Sequence, residues 1–571
     1  MISKSGLKSV SQSVLIGVSV GYAAIAFRWL IDLFHHISFI YIYNVLIDYI
    51  GKYAIVAIPA IGGLIIGPLI YNFAKETKGH GVPEVLDAVH QNGGKIRPRI
   101  VFFKALLSAL TIGFGGSVGR EGPIVQIGSA IGSSVGQFFK ISRKEMKNLV
   151  ACGAAAGIAA TFNAPIAGVF FALEVILRQF NSWAFSSIVI ASVSASVVSR
   201  IYLGNFPAFL IPEYFIHNYV ELFYYIILGV ACAIVALIYT KSIYFFEDLF
   251  DAIKVIPEWL KPMIGGLILG SIALFLPQIL GVGYESIEKA LMDEFPLIIL
   301  FLLLFFKIIA TSITIGAGGS GGVFAPALFV GAMFGGLMGK IFQMLTPGLV
   351  INPAAYAVVG MGALFAGTAQ APISAVIILF EMTNNYKLIL PLMLAVGLST
   401  IIYNYFSKSN IYTLKLLRRG VDIDKLVLPD IFSTLTVEKA MTTEVISVYP
   451  TTSIREVLKL IGKTKHKGFP VLSEAGDLVG MITSTDIDCA LDNGKRKSEL
   501  IATIFTKDIS FCYLDENLNT ALKKLGQKNI GRMPVVDANN EKLLLGLISR
   551  KNIIKAYNNE IHGTCNICNP D

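Results

Sequence analysis

A glycine-rich motif that could bind an anion occurs twice in strongly apolar sequence. Residues 113–123 read GFGGSVGREGP and residues 316–326 read GAGGSGGVFAP, at an offset of 203 residues (316 minus 113). Both copies fit G-x-G-G-S-x-G-x-x-x-P. Glycines leave backbone amides uncovered, and the first amides of a helix have no partner inside the helix. Because such amides and the helix dipole favour negative charge, the motif predicts two helix N-termini that hold a small anion.

The first copy carries charge where apolar sequence makes charge costly. Arg120 and Glu121 are the only charged residues between Lys104 and Lys140. A charged residue at the centre of a bilayer costs about 2.5–3.5 kcal/mol on insertion scales, so it faces a cavity or a partner. A carboxylate at a helix start can occupy the anion position and leave it when protonated. Glu121 is therefore the predicted gate and proton acceptor. The alternative is a buried ion pair, with the glycines serving helix packing.

The second copy and a third segment repeat the amide arrangement without an acid. GVFAP offers the amides of Val323 and Phe324 beside an apolar wall, and KGHGVPE places Gly79, His80 and Gly81 before a proline. Two uncharged amide sites and one site with a carboxylate predict a pathway for a small anion. The imidazole of His80 can donate a hydrogen bond or become cationic at about pH 6.5, whereas in the alternative interpretation only the backbone amides serve.

Helices that cross a membrane must position these motifs. The chain has 571 residues, of which 54% are hydrophobic and 15% are charged, with a mean hydropathy of +0.67. A soluble domain of this length does not have that composition. NAPIAGVFFALE (163–174) also mirrors QAPISAVIILFE (370–381), so the sequence predicts two related halves, at about 10–205 and 215–405. Duplicated membrane halves with broken, glycine-rich segments are typical of transport proteins.

The position of basic residues predicts the orientation of the chain in the membrane. Basic residues flank the apolar spans on both sides, and by the positive-inside rule both termini are predicted to be cytoplasmic; these residues are Lys4, Lys8, Lys408, Lys415, Arg418 and Arg419. The net charge of +9 does not indicate nucleic-acid binding in this context, and membrane lipid is the expected surrounding.

The composition changes at about residue 419, where a second, smaller repeat begins. HKGFPVLSEAGDLVGMITSTDI (466–487) matches NIGRMPVVDANNEKLLLGLISRKNI (529–553), and Pro470 aligns with Pro534. Each copy has the pattern of an amphipathic helix, a strand, a polar turn, a second strand and another helix. Residues 419–571 are therefore predicted to form a cytoplasmic pair of α/β modules, at about 436–495 and 500–560.

The motifs together resemble those of a known family. GHGVPE, GREGP with VQIG, GVFAP, AGVFFALE, GMGALFAGTAQAP, FEMTNNY and IYTLKL follow one another in the order found in the CLC family of chloride channels and chloride/proton antiporters. The resemblance covers residues 10–418, and the tail is similar to a pair of CBS modules. It implies an all-α polytopic membrane domain over residues 1–418, built as an inverted repeat of broken, tilted helices. It also implies a homodimer with one anion pathway in each subunit.

The resemblance assigns roles to individual residues. Glu121 matches the gating glutamate of the family, and Tyr412 in IYTLKL matches a tyrosine whose hydroxyl contacts the central anion. Without the resemblance, Tyr412 is interpreted as a tyrosine of the membrane interface. The residues predicted to bind chloride are His80, Gly81, Gly122, Val323, Phe324 and Tyr412.

One departure from the antiporter pattern bears on mechanism. Antiporters of the family typically carry a second glutamate directly after the one in ALE, but here Glu174 is followed by Val175. Valine cannot carry a proton, so the sequence predicts passive, channel-like chloride transport, with chloride/proton antiport as the alternative. Glu174 and Glu381 are interpreted as structural, capping or pairing near a membrane face. An alternative of another class is a membrane-anchored nucleotide sensor. An enzyme is not expected, because the spans carry no metal-ligand cluster and no nucleophile–base set.

The tail has weaker motifs. Thr483 and Asp486 resemble the residues with which CBS pairs hold an adenine nucleotide, and Ser549 and Asn552 are their counterparts in the second copy. An adenine nucleotide is thus a predicted optional ligand, and a helix N-cap is the alternative interpretation. No cofactor is expected to be required. The terminal His562, Cys565 and Cys568 offer three soft ligands but not a full tetrahedral set, so no metal site is predicted.

Overall fold

The computed structural model describes residues 4–562 except 181, 210, 213, 215–217, 351, 424–431, 433 and 434. The chain divides into two compact units, Met1–Leu426 and Val427–Asp571, whereas the sequence placed the boundary between residues 418 and 419. The first unit is helical and the second contains helices and two small sheets, as the predicted fold class requires.

The first half of the membrane unit consists of helices of very different lengths. They are α1 (Lys4–His35), α2 (Tyr43–Ile50), α3 (Ala54–Phe73), α4 (Val82–His90), α5 (Arg99–Gly113), α6 (Glu121–Phe138), α7 (Arg143–Phe162), α8 (Pro165–Phe171) and α9 (Ser182–Leu203). The break between α7 and α8 follows from the sequence. Asn163 adopts a left-handed conformation that ends α7, and Pro165 then occupies the first turn of α8, where its missing N–H costs nothing.

The second half repeats this arrangement. Its helices are α10 (Leu222–Ala252), α11 (Lys261–Ala273), α12 (Tyr284–Leu291), α13 (Leu297–Gly316), α14 (Phe324–Leu345), α15 (Pro353–Ala369), α16 (Pro372–Thr383), α17 (Ile389–Phe406) and α18 (Thr413–Arg418). Left-handed Gln370 ends α15 and Pro372 begins α16, as Asn163 and Pro165 do in the first half.

Several helical runs in the described residues are long and apolar enough to cross a membrane. They are Lys8–Phe73, Ala184–Leu203, Tyr219–Ala252, Leu297–Gly316, Phe324–Leu345 and Tyr386–Phe406. The first of these runs is continuous through α1, α2 and α3. Shorter apolar helices such as Pro165–Leu177 and Pro372–Thr383 are too short to span alone. The membrane unit therefore combines full spans with broken helices, as predicted.

Two carboxylates connect the halves reciprocally. Glu174, just after α8, accepts hydrogen bonds from the backbone N–H of Ile373 at 3.2 Å and of Ser374 at 2.7 Å, in the first turn of α16. Glu381 on α16 accepts from the N–H groups of Ile166 at 3.1 Å and Ala167 at 2.7 Å, in the first turn of α8. Because each acid caps the helix that leads to the other acid, both have the structural capping role expected from the sequence.

The second unit contains two α/β modules with separate cores. Its strands are β1 (Gly468–Leu472), β2 (Leu478–Thr483), β3 (Cys512–Tyr513), β4 (Arg532–Val536) and β5 (Leu544–Ser549), and its helices are α19 (Val437–Ala440), α20 (Ile454–Thr464), α21 (Ser484–Asp492), α22 (Leu518–Gln527) and α23 (Arg550–His562). β1 pairs antiparallel with β2, β3 pairs parallel with β4, and β4 pairs antiparallel with β5. Pro470 faces Met481 and Pro534 faces Leu547, so the two prolines hold equivalent registers.

The modules exchange short segments at their edges. Val437 and Ala440 pack in the core of the second module, because Thr442 pairs with Leu547. Ile501 packs in the core of the first module and Thr506 pairs with Met481. The limits predicted from the sequence, about 436–495 and 500–560, therefore remain predictions, since the modules share packing at both edges.

Candidate anion pathway

Backbone hydrogen bonds bring the three glycine motifs together in the middle of the membrane unit. Gly119 donates to the carbonyl of Gly322 at 2.7 Å, and Gly322 donates back to Gly119 at 2.6 Å. Gly79 donates to Gly319 at 3.1 Å, and Gly321 donates to Gly79 at 3.3 Å. The pairing of Gly119 with Gly322 is antiparallel, as expected for two segments related by a two-fold axis within an inverted repeat.

Two glycines are needed for this close approach. A Cβ at Gly122 would collide with the carbonyl oxygen of His80, so any side chain at this position would push the first and third motifs apart. Gly81 has φ of +84°, a conformation that side-chain-bearing residues rarely adopt, and it lies directly before α4. The predicted chloride-binding positions Gly81 and Gly122 thus allow backbone to approach backbone at the start of α4 and α6.

Glu121 is the first residue of α6 and its side chain is 1% exposed. Its Oε2 accepts from the backbone N–H of Ala325 at 3.3 Å, in the first turn of α14. Its Oε1 accepts from the hydroxyl of Tyr284 at 2.5 Å. The carboxylate of one repeat therefore occupies the amide site at the helix start of the other repeat, which is the arrangement that the gate hypothesis requires.

Arg120 does not form an ion pair with Glu121 among the described residues. Its guanidinium carbon instead lies 5.0 Å from the centre of the Tyr284 ring, and its Nε has no hydrogen-bond partner there. The alternative interpretation of a simple buried ion pair is therefore not the observed geometry. The sequence did not indicate Tyr284. It lies 163 residues from Glu121, in the segment GVGYES, which does not match the glycine motif of Glu121.

His80 and Tyr412 lie next to each other. Their ring centres are 6.0 Å apart, and their side chains are 1% and 2% exposed. Such burial excludes the interfacial-tyrosine interpretation of Tyr412. The Nε2 atom of His80 lies 3.5 Å from the hydroxyl of Tyr244, which itself donates to the carbonyl of Ile411 at 2.6 Å. The Nδ1 atom of His80 is buried with no protein partner. An imidazole with one unsatisfied nitrogen is a suitable neighbour for a small ligand.

Val323 and Phe324 form the start of α14. Val323 is the N-cap and Phe324 the first helical residue, so their amides belong to the turn that lacks partners inside the helix. The carbonyl of Val323 accepts from the hydroxyl of Tyr239 on α10 at 2.9 Å, which fixes the orientation of this peptide. The ring of Phe324 packs against Phe365 at 4.3 Å between centres and supplies the apolar wall.

Two buried lysines hold equivalent turns in the two halves. Lys104 donates to the carbonyls of Thr77 at 2.9 Å and Gly79 at 2.8 Å. Lys307, 203 residues later, donates to the carbonyls of Ile279 at 2.9 Å and Gly281 at 3.0 Å. Residues 281–283 (GVG) are thus the second-half counterpart of residues 79–81 (GHG). Sequence reasoning missed this fourth motif and both lysines, although their shared offset was a usable signal.

Val175 directly follows the capping residue Glu174. Its side chain is buried, in a short π-helical segment, Ala172–Leu177, that continues α8. The carboxylate of the neighbouring Glu174 accepts three hydrogen bonds, two from backbone N–H groups and one from the Ser374 hydroxyl at 2.6 Å. A carboxylate that caps a helix with three hydrogen bonds is poorly placed to move and carry protons.

A cavity of about 540 Å³ lies beside Tyr284. Tyr284 lines it, together with Asp32 and His35 from α1 and Glu285 from α12. Since the hydroxyl of Tyr284 also contacts Glu121, this residue connects the cavity with the carboxylate.

The tail has a cleft of about 590 Å³, a size that suits a nucleotide. Thr483 and Asp486 line it together with Lys467, Lys528 and Arg532. Partial burial lowers the pKa of Arg532, but an arginine remains charged at neutral pH. Three cations beside a hydroxyl and a carboxylate make this cleft suited to a phosphate with an attached ribose.

Thr483 and Asp486 also have the alternative role that the sequence allowed. Asp486 Oδ2 accepts from the backbone N–H of Thr483 at 2.8 Å, and the Thr483 hydroxyl accepts from the N–H of Asp486 at 3.3 Å, which is a capping box at α21. Their counterparts Ser549 and Asn552 bond each other at the start of α23 and are not among the residues that line the cleft. The structure therefore brings the first predicted pair to the cleft but not the second.

No group of three metal-ligating side chains occurs among the described residues. Cys565 and Cys568 lie outside the described residues, and the side chain of His562 is not described either.

Fold and site together define a polytopic membrane protein in which helix N-termini from two inverted halves meet around a single carboxylate. A profile described as "Voltage gated chloride channel" matches residues 62–404, and a CBS domain profile matches residues 437–493 and 501–559. The chain belongs to this family of voltage-gated chloride channels, the CLC family, and carries a CBS pair. It is thus an integral membrane protein of a chloride-transport family.

Individual relatives support the assignment to this family. The chain is 32% identical to "Chloride channel protein CLC-f" of Arabidopsis thaliana over 557 residues, covering 84% of this chain and 70% of that protein. It is 35% identical to "H(+)/Cl(-) exchange transporter ClcA" of Vibrio parahaemolyticus over 369 residues, covering 63% of this chain and 78% of that protein. The solved structure of a slow cyanobacterial Cl⁻/H⁺ antiporter superposes with a TM-score of 0.67 at 26% identity, covering 72% of this chain and 97% of that one.

Proposed function

We propose that this protein moves chloride through the membrane unit along the path marked by His80, Tyr412, the start of α14 and Glu121. The observation that carries the proposal is the position of the Glu121 carboxylate at the amide site of the opposite repeat. A carboxylate and a chloride ion compete for the same donors, so the pathway is closed while Glu121 is ionised and in place. Protonation removes the charge that holds the side chain there and allows chloride to enter.

Glu121→Gln tests this gate, because glutamine has the shape of the protonated acid. Chloride efflux from liposomes should persist in this variant while its dependence on pH flattens. Glu258→Gln is the matched control, since Glu258 is an exposed acid at the start of a short 3-10 turn outside the pathway, and its efflux should keep the normal pH profile. An unchanged pH profile in a correctly folded Glu121→Gln protein would contradict the role of Glu121 as gate.

We further propose that chloride transport is passive. Val175 cannot relay a proton, and Glu174 is held by three hydrogen bonds at the start of α16. Chloride/proton antiport is the second candidate, favoured by the names of the ClcA relative and of the cyanobacterial structure. The two are separated by imposing a chloride gradient on liposomes. Passive transport gives no uphill proton movement, whereas sustained uphill movement that Glu121→Gln abolishes identifies an antiporter.

We also propose three properties that the resemblance to the family implies. The protein is a homodimer with one pathway in each subunit, both termini are cytoplasmic, and the tail binds an adenine nucleotide in the cleft at Thr483 and Asp486. Mass measurement of the detergent-solubilised protein tests the dimer. Protease protection in sealed vesicles tests the orientation, since the tail should be cleaved only from the cytoplasmic face.

A further inference from the structure

The contact between Tyr284 and Glu121 points to a second component of the gate. We infer that Tyr284 is a positioning residue, which latches the Glu121 carboxylate in the anion position and so sets the pH at which protons open the pathway. This inference rests on the proposed role of Glu121 as gate. It concerns a residue of the second repeat that carries no charge and lies outside the glycine motifs described from the sequence.

The backbone of Tyr284 is fixed. Tyr284 is the first residue of α12 and follows Gly283, whose φ of +87° makes the turn into the helix. Lys307 donates to the carbonyls of Ile279 and Gly281 at 2.9 Å and 3.0 Å and holds the chain just before this turn. The position of the tyrosine Cα therefore depends on the buried lysine clamp of the second half.

The ring of Tyr284 is held from two sides. The guanidinium of Arg120 lies over it, 5.0 Å from the ring centre, and the ring of Phe209 meets it edge-on at 5.5 Å between centres. The Phe209 contact is made by the ring alone, whereas Arg120 lies over the ring and also interacts with the Tyr284 hydroxyl. Because the ring is confined, its hydroxyl reaches Glu121 Oε1 at 2.5 Å without a search through other rotamers.

The hydroxyl distinguishes the two protonation states of Glu121. Among the described residues it is the side-chain hydrogen-bond donor to this carboxylate. A phenol O–H donates a strong, charge-assisted bond to a carboxylate, and only an ordinary bond connects it with a neutral carboxylic acid. The latch therefore stabilises the ionised, closed gate. The other charged or titratable groups that interact with this pair are Arg120, Arg28, Tyr239 and Tyr412.

The latch also lies on the route from the neighbouring cavity. Tyr284 lines the cavity of about 540 Å³ that contains Asp32, His35 and Glu285, while Glu121 is almost fully buried. A proton that reaches Glu121 from this cavity passes the Tyr284 hydroxyl. A change at Tyr284 should consequently alter the response to the pH on the cavity side of the membrane more than the response to the pH on the other side.

Tyr284→Phe removes the donor and keeps the ring that packs on Arg120 and Phe209. The difference between a charge-assisted and an ordinary bond is about tenfold to a hundredfold in the equilibrium between latched and released carboxylate. Without the donor the ionised form is less favoured, so protons open the gate at higher pH. The midpoint of chloride efflux against pH should move upward by about one to two pH units.

The experiment measures efflux of chloride from liposomes that contain the full-length protein, over a range of pH set separately on each side. Tyr214→Phe is the matched control. Its hydroxyl donates to the carbonyl of Leu291 at 2.5 Å, at the opposite end of the same helix, and it does not contact Glu121. Tyr284→Phe should shift the pH midpoint, Tyr214→Phe should not, and Tyr284→Phe should cause no further pH shift in the Glu121→Gln background.

The outcomes separate the latch from the gate. If Tyr284→Phe has the wild-type pH profile, or if Tyr214→Phe causes the same shift, the latch is wrong while the gate stands. If Glu121→Gln itself retains the normal pH dependence, the gate is wrong. A spectroscopic measurement tests the latch even if the Tyr284→Phe variant does not fold. The infrared difference spectrum of wild type minus Glu121→Gln should contain a carboxylate band displaced by a strong hydrogen bond, and an undisplaced band would overturn the latch.

Discussion

Asp486 has two roles that a single substitution would remove together, and the tail supplies a control that separates them. Asp486 caps α21 and lines the proposed nucleotide cleft. Glu456 forms a capping box of the same geometry with Ser453 at α20, with a bond of 2.8 Å from the Ser453 N–H that equals the 2.8 Å bond from Thr483 to Asp486. Glu456 does not line the cleft. Asp486→Ala and Glu456→Ala therefore remove the same kind of cap but differ in their effect on the cleft.

The expected magnitudes differ for stability and for binding. Loss of either capping box should cost about 1 kcal/mol of unfolding free energy, since both helices keep their N-cap hydroxyl. A carboxylate that accepts hydrogen bonds from ribose contributes about 1.5–3 kcal/mol, which corresponds to a factor of about 10 to 150 in the dissociation constant. Asp486→Ala should lose at least tenfold in nucleotide affinity, while Glu456→Ala should keep the wild-type affinity at a similarly reduced thermal stability.

The assay is isothermal calorimetry of ATP, ADP and AMP on the fragment 419–571, combined with thermal unfolding of the same samples. This fragment contains the compact unit that begins at Val427, with its own two hydrophobic cores. Equal weakening of binding in the two variants would show that Asp486 acts through folding alone. Failure of the wild-type fragment to bind any of the three nucleotides at millimolar concentration would refute the nucleotide site.

Two further predictions concern the membrane unit. Gly322→Ala should abolish chloride efflux, because a Cβ there would lie 2.8 Å from the amide nitrogen of Gly122, whereas Gly397→Ala in α17, with open space around its Cβ position, should leave efflux unchanged and raise thermal stability slightly. Glu174→Gln and Glu381→Gln should each lower the unfolding temperature in detergent, because each weakens a charged cap on the opposite half by about 1–3 kcal/mol. An unchanged unfolding temperature in either variant would contradict the reciprocal capping.

The sequence predicted those parts of the structure that depend on local pattern and on duplication. The glycines before Glu121 are such local features, and the sequence placed them at a helix start. The pairing of β1 with β2 followed from alternation and a polar turn. The duplication itself indicated the second predicted anion site at Val323 and Phe324, which no charge or catalytic residue type would have marked.

Contacts between distant segments could not be predicted from such patterns. Tyr284 lies 163 residues from Glu121, and a tyrosine in apolar sequence has no feature that identifies its partner. In the sequence, Lys104 and Lys307 are isolated charges without an acidic partner. Their hydrogen-bond acceptors are backbone carbonyls, which every residue has, so the sequence does not identify them. Only their common offset of 203 residues connects them with the motif repeat, and that offset becomes meaningful once the turns that they hold are seen.

The two halves have similar backbones but different side chains at the equivalent positions, and this difference accounts for a single proposed gate. At the offset of 203 residues, Glu121 corresponds to Phe324 and Arg120 corresponds to Val323, while His80 corresponds to Val282 at an offset of 202 (282 minus 80). Two acids at equivalent sites around one axis would repel each other at mid-membrane, and two apolar residues would leave the amides without a removable occupant. With one acid, an amide of α14 holds the Glu121 carboxylate, and in the proposed mechanism it becomes available to chloride once that carboxylate leaves. In the proposed mechanism, the duplicated backbone therefore supplies the anion site, and the divergence of a few side chains supplies its control.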